Sequence, residues 1–177
     1  SVKQPCSLNR LSNLIKATGT PCSPSTVMEY VRYLQESCLL ISIDNYVSKF
    51  VEKETIKKHY FVDNGLLHLF INNPNTSLLE NLCAITLYKK YAKGLYYYNR
   101  NIEVDFYVPD EGIAVQASYQ MSDGETIERE VKALVALHGL HSLKRAMIIT
   151  YEDEGEIVRD GLRIEIRPAW KWVLEGL

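Results

Sequence analysis

The segment IEVDFYVPDEGIAVQASYQM, residues 102–121, constrains the fold most strongly, because it reads as two β-strands joined by a tight turn. If PDEG forms the turn, Val108 lies opposite Ile113. Counting back along the antiparallel pair then places Asp105 opposite Gln116. A slip of one residue would break the apolar alternation of both strands at once. The sequence therefore predicts an antiparallel hairpin whose polar side chains converge on one face.

The two predicted faces of this hairpin differ in polarity. The apolar face is expected to hold Ile102, Val104, Phe106, Val108, Ile113, Val115, Ala117 and Tyr119. The polar face is expected to hold Glu103, Asp105, Tyr107, Gln116 and Ser118, with Glu103 opposite Ser118. That face contains no Lys or Arg, so the pocket is predicted to lack a positive group, and a lysine among these side chains would contradict the prediction. A solvated outer sheet face alternates in the same way, and this alternative stays open.

Hydrophobic spacing predicts the remaining elements. Residues 1–72 show the order helix, helix, strand, loop, strand, which is typical of a winged helix. The polar stretch NNPNTS marks a boundary, so residues 73–177 are expected to form a second domain. This domain begins with a helix that Ser77 caps and Glu80 closes in a capping box. Three strands, a helix, an apolar strand, a hairpin at Asp160–Gly161 and a terminal helix follow.

Composition excludes several classes of protein. The net charge of -2 argues against a strongly basic, non-specific nucleic-acid binder. No apolar run approaches the roughly 18 residues that span a membrane, and no signal peptide is visible. The four cysteines contain no CxxC pair, which is typical of reduced thiols. We expect a cytoplasmic protein with no membrane partner.

Four basic residues of the first part are candidates for DNA contact: Arg32, Lys53, Lys57 and Lys58. Arg32 lies on the predicted second helix, whereas the lysines lie near the predicted wing. The second helix also carries Glu29 and Glu36, and an acidic surface contacts phosphates poorly. A structural or protein-docking role for this part therefore stays open beside DNA binding.

Several ordered motifs together resemble a known family: HYFVDNGLLHLF, SLLENL, YYYNRNIEVDFYV, VQASYQM, ETIEREVKAL, MIITYEDEGEI and IRPAWKWVLE. They are similar to the C-terminal region of a bacterial and archaeal family of AAA-type ATPases. In that family the ATPase domain precedes a winged helix and a restriction-endonuclease-like, PD-(D/E)xK domain of unknown function. The resemblance implies an α/β (α+β) fold, in which an N-terminal winged helix is followed by a mixed sheet flanked by helices.

The resemblance also assigns candidate site residues. The acid on the family's first helix matches Glu80, and its strand Asp matches Asp105, so these two are the candidate metal ligands. A non-catalytic fragment is expected to hold no cofactor, whereas an active nuclease would hold Mg²⁺ here. The family's Glu and Lys positions hold Gln116 and Ser118. The following helix carries Arg129, Glu130 and Lys132, and a basic residue there can replace the missing Lys.

Three functional hypotheses follow. In the first, the chain is a non-catalytic regulatory or targeting module that recognises DNA or a protein partner. This hypothesis rests on a polar pocket without a cation, and a lysine among those side chains would overturn it. In the second, it is an active Mg²⁺-dependent nuclease in which Arg129 or Lys132 supplies the missing cation. In the third, it is a scaffold that forms a homo-oligomer. No GxxxxGK[ST] loop is present, so ATP is expected only on an N-terminal ATPase domain that this chain lacks, and this domain is the first expected partner.

Overall fold

The computed structural model describes residues 5–49, 52, 55–72, 75–121 and 124–176. The first part of the chain has the predicted order of two helices and two strands, preceded by a two-residue strand that the sequence did not predict. Its elements are β1 (Cys6–Ser7), α1 (Leu8–Ala17), α2 (Pro24–Glu36), β2 (Leu40–Asn45) and β3 (Ile56–Phe61). Ser7 and Ser23 cap the two helices, because their side-chain oxygens accept hydrogen bonds from backbone amides of the first turns.

One short helix, α3 (Asn64–His68), completes residues 1–72, and helices and strands alternate in the second part. The elements of the second part are α4 (Asn75–Tyr91), the 3-10 turn Ala92–Gly94, β4 (Tyr96–Asn99), β5 (Glu103–Val108), β6 (Ile113–Ala117), α5 (Gly124–His141), β7 (Arg145–Thr150), β8 (Gly155–Arg159), β9 (Leu162–Pro168) and α6 (Ala169–Glu175). Asp160 and Gly161 form the predicted hairpin turn, and both have positive φ. The predicted cap at Ser77 is wrong, because α4 begins earlier and Ser77 lies inside it.

The nine strands in the described residues belong to one mixed sheet, in the order β1-β3-β2-β4-β5-β6-β7-β9-β8. Strands β2 and β4 pair in parallel, so the sheet is continuous across the boundary expected after residue 72. Strands β6, β7 and β9 are also parallel to one another. This continuity places β3 in the same sheet as β5, although the two strands are far apart in the chain.

Helices cover both faces of the sheet. On one face, α4 contributes Leu79, Cys83 and Leu87 to a buried cluster that also contains Trp172 of α6. On the other face, α5 contributes Leu134 and further apolar residues to a second cluster. No helix in the described part of the chain is long and apolar enough to cross a lipid bilayer.

The hairpin of β5 and β6 has the predicted register near its turn, with Val108 opposite Ile113. Farther from the turn, β5 contains an irregularity: its pairing with β4 shifts by one residue. Phe106 therefore packs in the α4-side cluster, whereas Val104 packs in the α5-side cluster. The predicted single apolar face that contains both residues is wrong, because an extra residue in a strand reverses the alternation of its side chains.

Candidate functional site around a buried lysine

Three elements bring charged side chains together at the irregularity in β5. Strand β3 supplies Lys58, helix α4 supplies Glu80, and β5 supplies Glu103 and Asp105. The Lys58 Nζ lies 3.1 Å from Asp105 Oδ1, 3.3 Å from Glu103 Oε1 and 3.6 Å from Glu80 Oε1. We call these four residues the Lys58 cluster. Its ion pairs connect Lys58 of the first part of the chain with three carboxylates of the second part, and the hydrogen bonds of the sheet connect the same two parts.

Lys58 is the centre of this cluster and is almost fully buried, with 1% of its side chain exposed. Burial by itself lowers the pKa of a lysine, but the attraction of Asp105, Glu80 and Glu103 outweighs it. The pKa of Lys58 is therefore raised above its ordinary value, and the ammonium form is held at neutral pH. The prediction that this pocket lacks a positive group is wrong, and the sequence-based argument for a nuclease inactivated by the loss of its cation fails with it.

Aromatic and sulfur groups line the same pocket. The Tyr60 hydroxyl donates a 2.9 Å hydrogen bond to Glu80 Oε1, and burial together with Glu80 and Asp105 raises the Tyr60 pKa. Burial and the same two carboxylates raise the pKa of the Cys83 thiol, so Cys83 stays protonated. The Lys58 Nζ also lies 5.5 Å from the ring centroid of Tyr97. None of these groups is poised as a nucleophile.

Gln116 bonds to the backbone of β5. Its Oε1 accepts a 2.8 Å hydrogen bond from the Asp105 amide, and its Nε2 donates a 3.0 Å bond to the Glu103 carbonyl. The side-chain amide thus satisfies two backbone groups beside the irregularity. A carboxylate in this place could not donate to the Glu103 carbonyl. The predicted proximity of Asp105 and Gln116 is confirmed, but its physical role is to hold the strand together.

The carboxylates expected to bind metal are already engaged. Asp105 accepts from Lys58 with Oδ1 and from the Ala117 amide with Oδ2, at 3.1 Å in both cases. Glu80 Oε1 accepts from Tyr60 and faces Lys58. Among the described residues, no group of three or more His, Cys, Asp or Glu is arranged to hold a metal ion. The Lys58 ammonium lies between Glu80 and Asp105, so these two carboxylates as arranged do not fit Mg²⁺.

The remaining candidate catalytic residues lie outside the Lys58 cluster. The Ser118 amide donates to Ile149 and its hydroxyl to Gln120, so Ser118 does not replace a catalytic lysine. Arg129 pairs with Glu130 at 2.6 Å, and Lys132 pairs with Glu128, all on α5. Burial raises the pKa of Glu130, Arg129 opposes this effect, and the charges of Asp105 and Glu103 raise the pKa further, so Glu130 interacts electrostatically with the cluster.

The four candidate DNA contacts fall into different environments. Lys58 is buried, so it cannot contact DNA from its present position. Lys57 forms a 2.5 Å ion pair with Asp44, and Arg32 forms a 3.6 Å pair with Glu36. Lys53 lies outside the described residues. The described residues of this set therefore do not form a basic patch.

The sequence contained a signal for Lys58 that its basic neighbours obscured. In IKKHYF, alternation places Lys58 on the same side of β3 as Ile56 and Tyr60, and Lys57 on the other side. A lysine between two apolar residues of one strand face indicates a buried partner. The contributions of Glu103 and Tyr97 required the tertiary structure, since these residues lie on β5 and β4 whereas Lys58 lies on β3.

The fold and site together define a mixed α/β protein with one large sheet, helices on both faces and a buried charge cluster. An uncharacterized protein of Methanocaldococcus jannaschii is 31% identical over 183 residues, which cover 95% of this chain and 40% of that protein. The chain thus spans less than half the length of this curated relative. No family model matches the chain, and no solved structure matches it.

Proposed function

We propose that this chain is a non-catalytic regulatory or targeting module of a longer AAA-type ATPase. Its first part corresponds to a winged helix, and its second part to a restriction-endonuclease-like domain. The Lys58 ammonium supports this proposal, because it is buried between Glu80 and Asp105, the two carboxylates that the resemblance assigns to metal binding. The proposed family rests on the resemblance of the ordered motifs. The proposed absence of catalysis rests on the Lys58 ammonium beside Glu80 and Asp105.

The burial of Lys58 argues against a catalytic role for it. A lysine that stabilises the charge on a phosphate must contact that phosphate, yet 1% of the Lys58 side chain is exposed. One ammonium faces three carboxylates, so the site as a whole repels an approaching phosphodiester. This argument replaces the expectation from the sequence, which relied on a missing lysine.

The exposed surface of α2 favours a protein partner over DNA. Large apolar side chains lie exposed on this helix: Met28, Tyr30, Tyr33 and Leu34. Its Arg32 is paired with Glu36. Phosphate contacts require accessible Lys and Arg, whereas apolar and aromatic side chains are typical of protein interfaces. The ATPase domain of the same protein is the first partner we propose for this surface.

A DNA cleavage assay tests whether the chain lacks nuclease activity. Plasmid and single-stranded DNA are incubated with the chain in Mg²⁺ or Mn²⁺, beside the Asp105→Asn variant and the Asp110→Asn variant. Asp110 is an exposed acid of the β5–β6 turn and serves as the matched control. We expect the same background in all samples. Metal-dependent cleavage that only Asp105→Asn abolishes would establish the active nuclease instead.

The ATPase assignment has a separate test. The codons that precede Ser1 in the gene are expected to encode a GxxxxGK[ST] loop, since that loop binds the nucleotide phosphates. A reading frame without such a loop would contradict the assignment. Light scattering of the purified chain distinguishes the scaffold hypothesis, which requires a stable homo-oligomer.

A further inference from the structure

A groove lies at the carboxyl ends of the three parallel strands. Tyr119 follows β6, Tyr151 and Glu152 follow β7, and Trp170 follows β9. The strands β6, β7 and β9 are adjacent and parallel, so their carboxyl ends meet at one edge of the sheet. In open α/β sheets this edge is where ligands bind.

The groove has the size and lining of a binding site. Its volume is about 510 Å³, within the range typical of ligand pockets. Leu78, Leu79 and Leu82 of α4 line one side of it. Tyr119 and Tyr151 stack with ring centroids 4.9 Å apart, which gives the groove an aromatic wall. The site is separate from the Lys58 cluster and shares no residue with it.

The exposed aromatic rings point to the chemistry of the occupant. Trp170 is 62% exposed and Tyr151 is 51% exposed, although both line the groove. Trp172, two residues along the same helix, is fully buried. Exposed Trp and Tyr rings attract cations through their electron-rich faces, and Trp does so most strongly.

The charge of the groove points to the same occupant. Glu152 is its one charged residue, and no Lys, Arg or His lies among the described residues that line it. The Glu152 carboxylate makes no ion pair with another described residue, whereas the neighbouring Glu154 pairs with Lys171. An unpaired carboxylate beside aromatic rings complements a guanidinium group and disfavours phosphate.

We propose that this groove binds an arginine side chain of a protein partner, with an adjacent aliphatic residue packed against the leucines of α4. The guanidinium stacks on Trp170 or Tyr151 and donates to Glu152. Trp, Tyr and Arg are the residues that dominate protein interfaces. This inference rests on the targeting role proposed above and specifies that the partner presents an arginine. The observations that support it come from the groove alone.

An NMR titration of the whole chain tests the proposal. The probe is the peptide acetyl-Leu-Arg-Leu-amide, and the comparison peptides carry citrulline or Glu in place of Arg. We expect saturable shifts of the Trp170 indole N–H and of the Tyr151 and Glu152 amides. Citrulline keeps the shape of arginine but removes its charge, so it should weaken binding about tenfold.

Variants locate the binding. Trp170→Ala should weaken it about tenfold, and Glu152→Gln about two- to fivefold, since an exposed ion pair contributes little. Leu174→Ala is the matched control, because Leu174 is exposed on the same helix but does not line the groove. This variant should bind as the wild type does.

Three results would overturn the proposal: no saturable shift, equal binding of the citrulline peptide, or unchanged binding by Trp170→Ala. Shifts of the same indole by oligodeoxythymidine, without shifts by the arginine peptide, would mean that the groove stacks bases instead. Because binding is measured directly, failure here leaves the outcome of the cleavage assay unchanged. Cleavage by the chain would likewise leave the groove proposal in place.

Discussion

Replacing Lys58 by methionine is the most direct test of the charge cluster. Methionine approximates the length of the lysine stem and removes only the ammonium, so the pocket stays filled. Three carboxylates then lose the cation that they share, and two of them are largely buried, with 6% of the Glu80 side chain and 17% of the Asp105 side chain exposed. Glu103 is half exposed, so water partly compensates for the loss of its cationic partner.

Removing one partner of a buried ion pair leaves an uncompensated charge and typically costs about 3 to 5 kcal/mol. We therefore expect Lys58→Met to lower the free energy of unfolding at pH 7 by about that amount. Urea denaturation followed by circular dichroism measures this change. Lys57→Met is the matched control, because Lys57 is the preceding residue and its pair with Asp44 is only partly buried, with 29% and 32% of the two side chains exposed. That variant should lose about 1 kcal/mol or less.

The reasoning is refuted if Lys58→Met costs no more than Lys57→Met. A double variant adds a second check: Asp105→Asn should cost less in the Lys58→Met background than in the wild type, since the charge that it removes is no longer paired. The pH dependence gives a third check. The pKa of Lys58 is raised above its ordinary 10.5, so its stabilisation is fully present below pH 10.5 and disappears as the pH rises through the raised pKa.

Three further variants test polar groups on β3, α5 and β6. Burial and the charge of Lys57 lower the pKa of His59 to about 4. The free energy of unfolding should therefore fall by up to about 3 kcal/mol between pH 6.5 and pH 4. In urea denaturation at several pH values, His59→Gln should remove this part of the pH dependence. Burial raises the pKa of Glu130, so Glu130→Gln should raise the melting temperature at pH 7 more than at pH 4; an equal rise at both pH values would contradict this. Gln116→Leu removes two hydrogen bonds to β5 and should cost about 2 to 4 kcal/mol in urea unfolding, whereas a change below about 1 kcal/mol would mean that water replaces the amide.

Local patterns in the sequence determined the order of helices and strands and the turn of the central hairpin. The pairing of Val108 with Ile113 followed from alternation and turn chemistry, which depend on neighbouring residues. The contact of Gln116 with Asp105 followed from the same register. These features were predictable because each is decided within about twenty residues of chain.

The tertiary structure alone decided which charge fills the pocket. Lys58 and Asp105 are 47 residues apart, and they meet because β2 pairs in parallel with β4 and so brings β3 into the same sheet. The irregularity in β5 also depends on pairing with β4, so alternation within β5 could not reveal it. Sequence periodicity records which face of an element is buried, but the partner of a buried charge is set by how distant elements pack.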